Sequence, residues 1–333
     1  MRDIRVAAGQ FEHRDGDKAY NLSRVAELTA RAAAEGAEVV SFHECCLTGY
    51  TFLQGLSRSE VAALAEPVPG GASVAALAEL ARRHKVVVLA GLIESAPDGR
   101  LHNTYAAVGP DGVLGRHRKL HAFISPHIES GDAHTVVALR GMKAGICTCY
   151  DNNLPENPRV AALMGAEVLF MPHVTGCLPS PMPGRGTVDP ALWENRRRDP
   201  VRLRMEFDGP KGRGWLMKFL PARAFENGVY VVFTNPIGVD GDTIKNGNAM
   251  VLDPFGEVLD ECRALGDDVV TALLTAEKLQ QASGRRYLRA RRPDLYAKLV
   301  EPPPPGQQPV TRPGWKRAFD ADGGQEPEAG SRE

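Results

Sequence analysis

The sequence predicts an α/β protein built from two related halves. Apolar runs of strand length alternate with amphipathic runs of helix length along most of the chain. A hydrophobic share of 43% and a charged share of 24% over 333 residues can bury a sizeable core, in one large domain or two medium ones. The chain also echoes itself: Gly36-Ala37-Glu38-Val39-Val40 precedes His43, and Gly165-Ala166-Glu167-Val168-Leu169 precedes His173. Each copy reads as helix, Gly-Ala-Glu, apolar strand and polar loop. Such a tripeptide match is not rare by chance. With matching elements around it, it suggests two α/β halves that present loops at one edge, where open α/β sheets place ligand sites.

The elements follow in order. Residues 4–11 read as a buried strand, and Asp17 as the N-cap of a helix. Leu22, Val25, Ala26, Thr29, Ala32 and Ala33 form that helix's apolar face, and Gly36 ends it. A strand over 37–42 leads into the loop His43 to Tyr50. A helix over about 71–84 precedes a meander of three strands over 86–118, with turns at Asp98-Gly99 and Asp111-Gly112. Strands are expected over 135–139 and 142–149, a helix over 155–164 and a strand over 166–171. Residues 176–215 are dense in proline, glycine and arginine. They read as a long irregular excursion, either a lid or binding loop or a solvated segment. A helix over 216–227, a strand over 229–234, a hairpin over 249–258 turned at Pro254 to Glu257, and a last strand over 269–274 complete the pattern. Short basic helices over 276–299 and a Pro/Gly-rich tail over 301–333 follow; the tail is expected to be disordered or to dock on a partner subunit.

Composition excludes several function classes. The formal net charge is −1, with no block of like charge suited to a nucleic-acid groove. The N-terminus is strand-like and lacks a signal peptide's apolar region. No apolar run approaches the roughly 18 residues of a membrane span. Six cysteines in a chain of this length do not make a disulfide framework. A soluble cytoplasmic protein with reduced thiols is the expectation.

The stretch Gly145 to Glu156 carries the clearest chemical signal. A small apolar strand ends in Cys147-Thr148-Cys149, an Asp/Asn turn follows, and Pro155-Glu156 opens a helix. A thiol at such a turn sits near a helix N-terminus, whose partial positive charge and free N–H groups lower its pKa and bind an oxyanion. The alternative is that both cysteines are small buried hydrophobes. Two cysteines at this spacing with no second pair are a weak zinc signal.

Three places taken together resemble the nitrilase superfamily of carbon–nitrogen hydrolases. They are Glu44 in Phe42-His43-Glu44…Leu47-Thr48-Gly49-Tyr50, Lys119 in Arg116-His117-Arg118-Lys119-Leu120-His121, and Cys149 in Gly145…Cys149-Tyr150-Asp151…Leu154-Pro155-Glu156. Gln10-Phe11, His102-Asn103-Thr104, Arg223 to Asn227, Asn235 to Gly238 and Asp253 to Gly256 extend the likeness over about residues 4–275. Alone, Glu44 reads as a solvated loop residue and Lys119 as part of a solvated basic face; the family's order gives them other roles.

The resemblance implies a four-layer α-β-β-α sandwich completed by dimerisation, with residues 1–300 as the hydrolase domain. It implies a Glu44-Lys119-Cys149 triad, with Cys149 as nucleophile, Glu44 as base, and Lys119 and the Tyr150 amide as oxyanion stabilisers. Cys147 is left as core. Glu129 is the only candidate for the second glutamate many members carry, and His173 a candidate for the pocket wall. His43 replaces the proline that commonly precedes the first glutamate. Tyr150-Asp151 points to the amidase and carbamoylase branches, hence to small linear amides or N-carbamoyl compounds. Nitrilase, acyltransferase and a silent scaffold are the other readings. The chemistry needs no metal or organic cofactor.

Overall fold

The computed structural model describes residues 1–302, so the expected tail lies almost wholly outside the described residues. The first half runs β1 (Ile4–Gln10), α1 (Lys18–Ala34), β2 (Val39–Ser41), α2 (Arg58–Leu64), α3 (Ala72–His84), β3 (Val87–Ser95), β4 (Leu101–Gly109) and β5 (Gly112–Arg118). The second begins with β6 (Thr135–Leu139), β7 (Met142–Ile146), α4 (Tyr150–Asn153), α5 (Glu156–Leu163) and β8 (Val168–Pro172). It continues through α6 (Pro190–Glu194), α7 (Pro200–Asp208), α8 (Arg213–Leu216), α9 (Leu220–Asn227), β9 (Tyr230–Thr234), β10 (Ile237–Asp240), β11 (Thr243–Asn246), β12 (Met250–Leu252) and β13 (Val258–Glu261). β14 (Asp268–Leu274) returns to the first sheet, and α10 (Ala276–Gln281) and α11 (Ser283–Arg289) follow.

Two six-stranded sheets, β14-β1-β2-β3-β4-β5 and β6-β7-β8-β9-β12-β13, face each other. Read in those orders, both show the same sequence of pairings: antiparallel, parallel, parallel, antiparallel, antiparallel. The echo in the sequence lies at equivalent places. Gly36 and Gly165 take φ of +84° and +96°, and the next residue's N–H returns to the carbonyl five residues back in each case. Glycine ends a helix here because the left-handed turn carries no Cβ penalty.

Three apolar clusters define four layers. Val25 and Leu28 of α1 and Leu77 and Ala81 of α3 pack on one sheet through Val40 and Val88. Val6, Leu89 and Tyr105 meet Ile146, Phe170 and Val232 between the sheets. Ala161 of α5 and Ala224 of α9 cover the second sheet through Leu169 and Phe233. A single chain thus supplies the layers of the expected α-β-β-α sandwich.

The excursion over 176–215 is not irregular throughout. Asp189 and Asp199 cap α6 and α7, each followed by proline at the first helical position. Trp193, Leu203 and Phe207 pack with Cys177, Ile237 and Ile244, against the β10–β11 hairpin that sequence reading missed. The strand expected through residue 149 stops at Ile146, and the helix expected over 216–227 divides into α8 and α9.

The loop after β2 lies flat on β3. Leu47 N–H donates to the Gly91 carbonyl at 3.0 Å, and a Cβ at Gly91 would stand 2.2 Å from the Cys45 nitrogen. Gly91→Ala therefore pushes the backbone beside Glu44 outward. We expect unfolding free energy to fall by about 1–3 kcal/mol, read by chemical denaturation; unchanged stability would mean that the loop shifts freely.

Candidate active site

The first sheet contributes a buried ion pair. Lys119, just past β5, donates from Nζ to Glu44 Oε1 at 2.6 Å, and both side chains are 0–1% exposed. Lys119 N–H donates to the Asn103 carbonyl at 2.8 Å, which continues the ladder from β4. The Asn103 amide Nδ2 reaches the same Glu44 oxygen at 2.6 Å. Lys119 Nζ also donates to the Tyr50 hydroxyl at 3.2 Å and stands 4.9 Å from the Phe123 ring centroid. Burial opposes the ammonium charge, but Glu44 and the other anionic partners hold its pKa above the ordinary lysine value. Two N–H donors, an ammonium and a side-chain amide, thus fix one Glu44 oxygen, while Oε2 is buried and bonded to no nitrogen or oxygen.

The second sheet contributes the thiol. Beyond β7 the chain keeps pairing, with Cys147 N–H to the Phe170 carbonyl at 3.0 Å and Cys149 N–H to the Pro172 carbonyl at 2.8 Å. Cys147 is packed among Ala161 and Leu169, as core. Cys149 takes φ +52° and ψ −109°, a conformation L-residues rarely adopt, and so turns away from the strand to line a cavity. It is the N-cap of the four-residue helix α4. The expected lowering of the thiol pKa does not occur. Burial and the nearby Glu44 carboxylate outweigh Lys119 and push it up to about 12. Four helical residues supply too small a dipole to oppose this.

Asp151 joins the two contributions. Its carboxylate is fully buried and accepts from Leu120 N–H at 3.1 Å and His121 N–H at 2.9 Å. His121 Nδ1 lies 2.8 Å from Oδ1, and His117 Nε2 3.2 Å from Oδ2. Burial works against ionisation, yet the bonds from His117 and His121 hold the carboxyl well below the usual carboxylate range. Arg223 secures the other side of the turn: Nε and Nη2 donate to the Asn152 and Asn153 carbonyls, each at 3.0 Å.

The cavity has a volume of about 420 Å³. Cys149, Tyr150, Tyr50 and Phe123 line it, together with residues 178–182, Arg185 and Trp215 of the long excursion. The Tyr150 ring meets Phe123 and His121 edge-on, with centroids 5.5 and 5.8 Å apart.

Two expected site residues lie elsewhere. Glu129 is 57% exposed and turned toward Arg100, with 3.9 Å between charged atoms; only its carbonyl is engaged near the site, by His102 Nδ1 at 3.0 Å. It does not position Lys119; Tyr50 and Asn103 occupy that ground. His173 is buried outside the cavity lining, its ring tilted against Phe233 with centroids 5.0 Å apart and 2.9 Å from Asn152 Nδ2. Burial and the charge of Lys119 push its imidazole down to about 3, so it is neutral. Sequence reading quoted Asn103, Tyr50 and Asp151 without giving their side chains roles. For Asp151 the signal was present as an acidic residue directly after the cysteine turn, but its histidine partners lie about 30 residues away.

Comparison with known proteins agrees with this geometry. The carbon–nitrogen hydrolase family profile matches residues 5–283. An (R)-stereoselective amidase from Pseudomonas sp is 31% identical over 306 residues, covering 90% of this chain and 96% of that protein. An omega-amidase of Mus musculus is 27% identical, covering 84% and 92%. A crystal structure of a carbon–nitrogen hydrolase from Helicobacter pylori G27 superposes with a TM-score of 0.74 at 22% identity, over 90% of this chain and 99% of that one. A profile match across most of the chain and an amidase relative above 30% identity establish that this protein belongs to the carbon–nitrogen hydrolase family.

Proposed function

We propose that the protein hydrolyses linear amides through an acyl-thioester on Cys149. The observation that carries this is the meeting of a strained cysteine from one sheet, which lines the cavity, with the buried Glu44–Lys119 pair from the other. As Cys149 Sγ bonds to the amide carbon, its proton passes to Glu44 Oε2, the oxygen with no other partner. The carbonyl oxygen becomes an oxyanion, stabilised by the Lys119 ammonium and the Tyr150 backbone amide. Glu44 returns the proton to the leaving nitrogen, the C–N bond breaks, and ammonia or an amine departs. Water then attacks the thioester with Glu44 again as base, the C–S bond breaks, and the acid and free thiol are released. His173 takes no proton in this scheme. Leu163, Met164, Phe225 and Tyr287 stand exposed on α5, α9 and α11 or beside them, an apolar surface that supports packing of a second copy as a homodimer.

Ammonia release from a panel of primary amides, N-carbamoyl amino acids and nitriles tests the scheme. The wild type is expected to act on primary amides. Cys149→Ala should fall to background, and Glu44→Gln and Lys119→Met should each lose on the order of 10²-fold or more in kcat. Equal release by wild type and Cys149→Ala would overturn the assignment.

The raised thiol pKa gives a pH prediction. A thiol pushed up to about 12 is protonated in the resting protein, so proton removal belongs to the attack itself. Ultraviolet thiolate absorbance, taken as wild type minus Cys149→Ala, should stay flat from about pH 6 to about pH 9 and rise only above that. A step near neutrality would mean a preformed thiolate. Asp151→Asn keeps the shape but removes the charge that two histidines and two backbone N–H groups share. We expect a stability loss on the order of 3 kcal/mol and a kcat loss larger than any change in KM, from steady-state kinetics beside a denaturation curve.

A further inference from the structure

The cavity over Cys149 is lined by two cations and, among the described residues, by no carboxylate. The two cations differ in how their charge is met. Lys245, from β11, is 3.5 Å from Asp240 Oδ2 and donates to the Thr243 hydroxyl at 2.7 Å. Arg185 comes from the segment between β8 and α6. Its guanidinium stands 4.4 Å from the Trp215 ring centroid, and Nη1 donates to the Lys211 carbonyl at 2.8 Å. Among the described residues no carboxylate pairs with it. Most of the remaining wall is apolar, with Phe123, Leu178, Pro179 and Met182 prominent.

A half-buried guanidinium without a counter-ion is costly to keep, and burial already lowers the pKa of this one. Its fork has five N–H donors, of which one is spent on the Lys211 carbonyl. The Trp215 ring covers one face and fixes the plane, so the remaining donors are held ready for a planar, bidentate acceptor. A carboxylate is such an acceptor; a neutral alkyl group would leave the charge unmet.

We propose that Arg185 is a specificity-determining residue that binds a carboxylate on the substrate, at a distance from the amide under attack. The preferred substrates are then amides whose apolar body ends in a carboxylate. This rests on the reading of Cys149 as the centre of amide hydrolysis, because that reading places the amide against Cys149 in the cavity. Lys245 adds to the positive potential of the wall, and its pairing with Asp240 leaves Arg185 to make the direct contact.

The test uses binding, so that it does not depend on turnover. The full chain carrying Cys149→Ala is titrated by calorimetry with the monoamides of succinic, glutaric and adipic acid, and with hexanamide as the neutral counterpart of the adipic compound. The best-fitting acid should bind at least about tenfold more tightly than hexanamide. Adding Arg185→Gln should remove the preference while leaving hexanamide affinity unchanged, which also shows that the cavity is intact. Arg185→Lys should keep part of it. Equal affinities, a preference that survives Arg185→Gln, or no binding of any of the acids would each overturn the proposal. Failure of the catalytic reading shows separately, as ammonia release that persists in Cys149→Ala alongside an intact carboxylate preference.

Discussion

The site depends on one buried carboxylate. Asp151 follows the nucleophile turn directly in sequence, yet its partners, His117, Leu120 and His121, bracket Lys119 on the other sheet. Two rigid sheets can slide relative to each other, and an apolar interface between them specifies area more than position. Charge-assisted hydrogen bonds to two backbone N–H groups and two imidazoles specify position closely, because each has a narrow range of length and angle. Leaving any of these donors unmatched in a buried place is costly, so the network is satisfied in one arrangement of the sheets. That arrangement brings the thiol beside Glu44.

Electrostatics at the site run against a simple picture of an activated cysteine. A thiolate in this position would face the Glu44 carboxylate in a buried place, and Lys119 offsets only part of that repulsion. The thiol therefore rests neutral beside the Glu44–Lys119 ion pair. In the proposed attack the negative charge moves from Glu44 to the substrate oxygen while Lys119 stays near both. The total charge in the buried volume does not change, so the barrier includes little cost of creating charge away from water.

Much of the fold was legible, because α1 and α3 each bury one face at helical spacing and the central strands are continuous apolar runs buried on both faces. The short β10–β11 hairpin was not legible: its turn at Asp240 to Asp242 lies among polar residues, and its strands gain their burial from α6 and α7, far away in sequence. Those helices did leave a local mark in Asp189-Pro190 and Asp199-Pro200, hidden by the arginine and glycine around them. At the site, Glu44, Lys119 and Cys149 were legible through their surroundings in a family likeness. Asn103 was not, because a strand asparagine next to two other polar residues gives no sign of which side chain faces inward. Glu129 was misplaced for a related reason. Its loop is short, and a sequence shows a carboxylate's presence without its direction.

The repeated pairing order of the two sheets has a further meaning. Equivalent positions in the halves do not carry equivalent chemistry. The first supplies Glu44, Asn103 and Lys119, to which the proposed scheme gives the handling of protons and charge; the second supplies Cys149, to which it gives the bond. Neither half holds the proposed set, so an isolated half of this chain is expected to be inert toward amides. In the proposed scheme reactivity belongs to the seam between two sheets of one architectural plan.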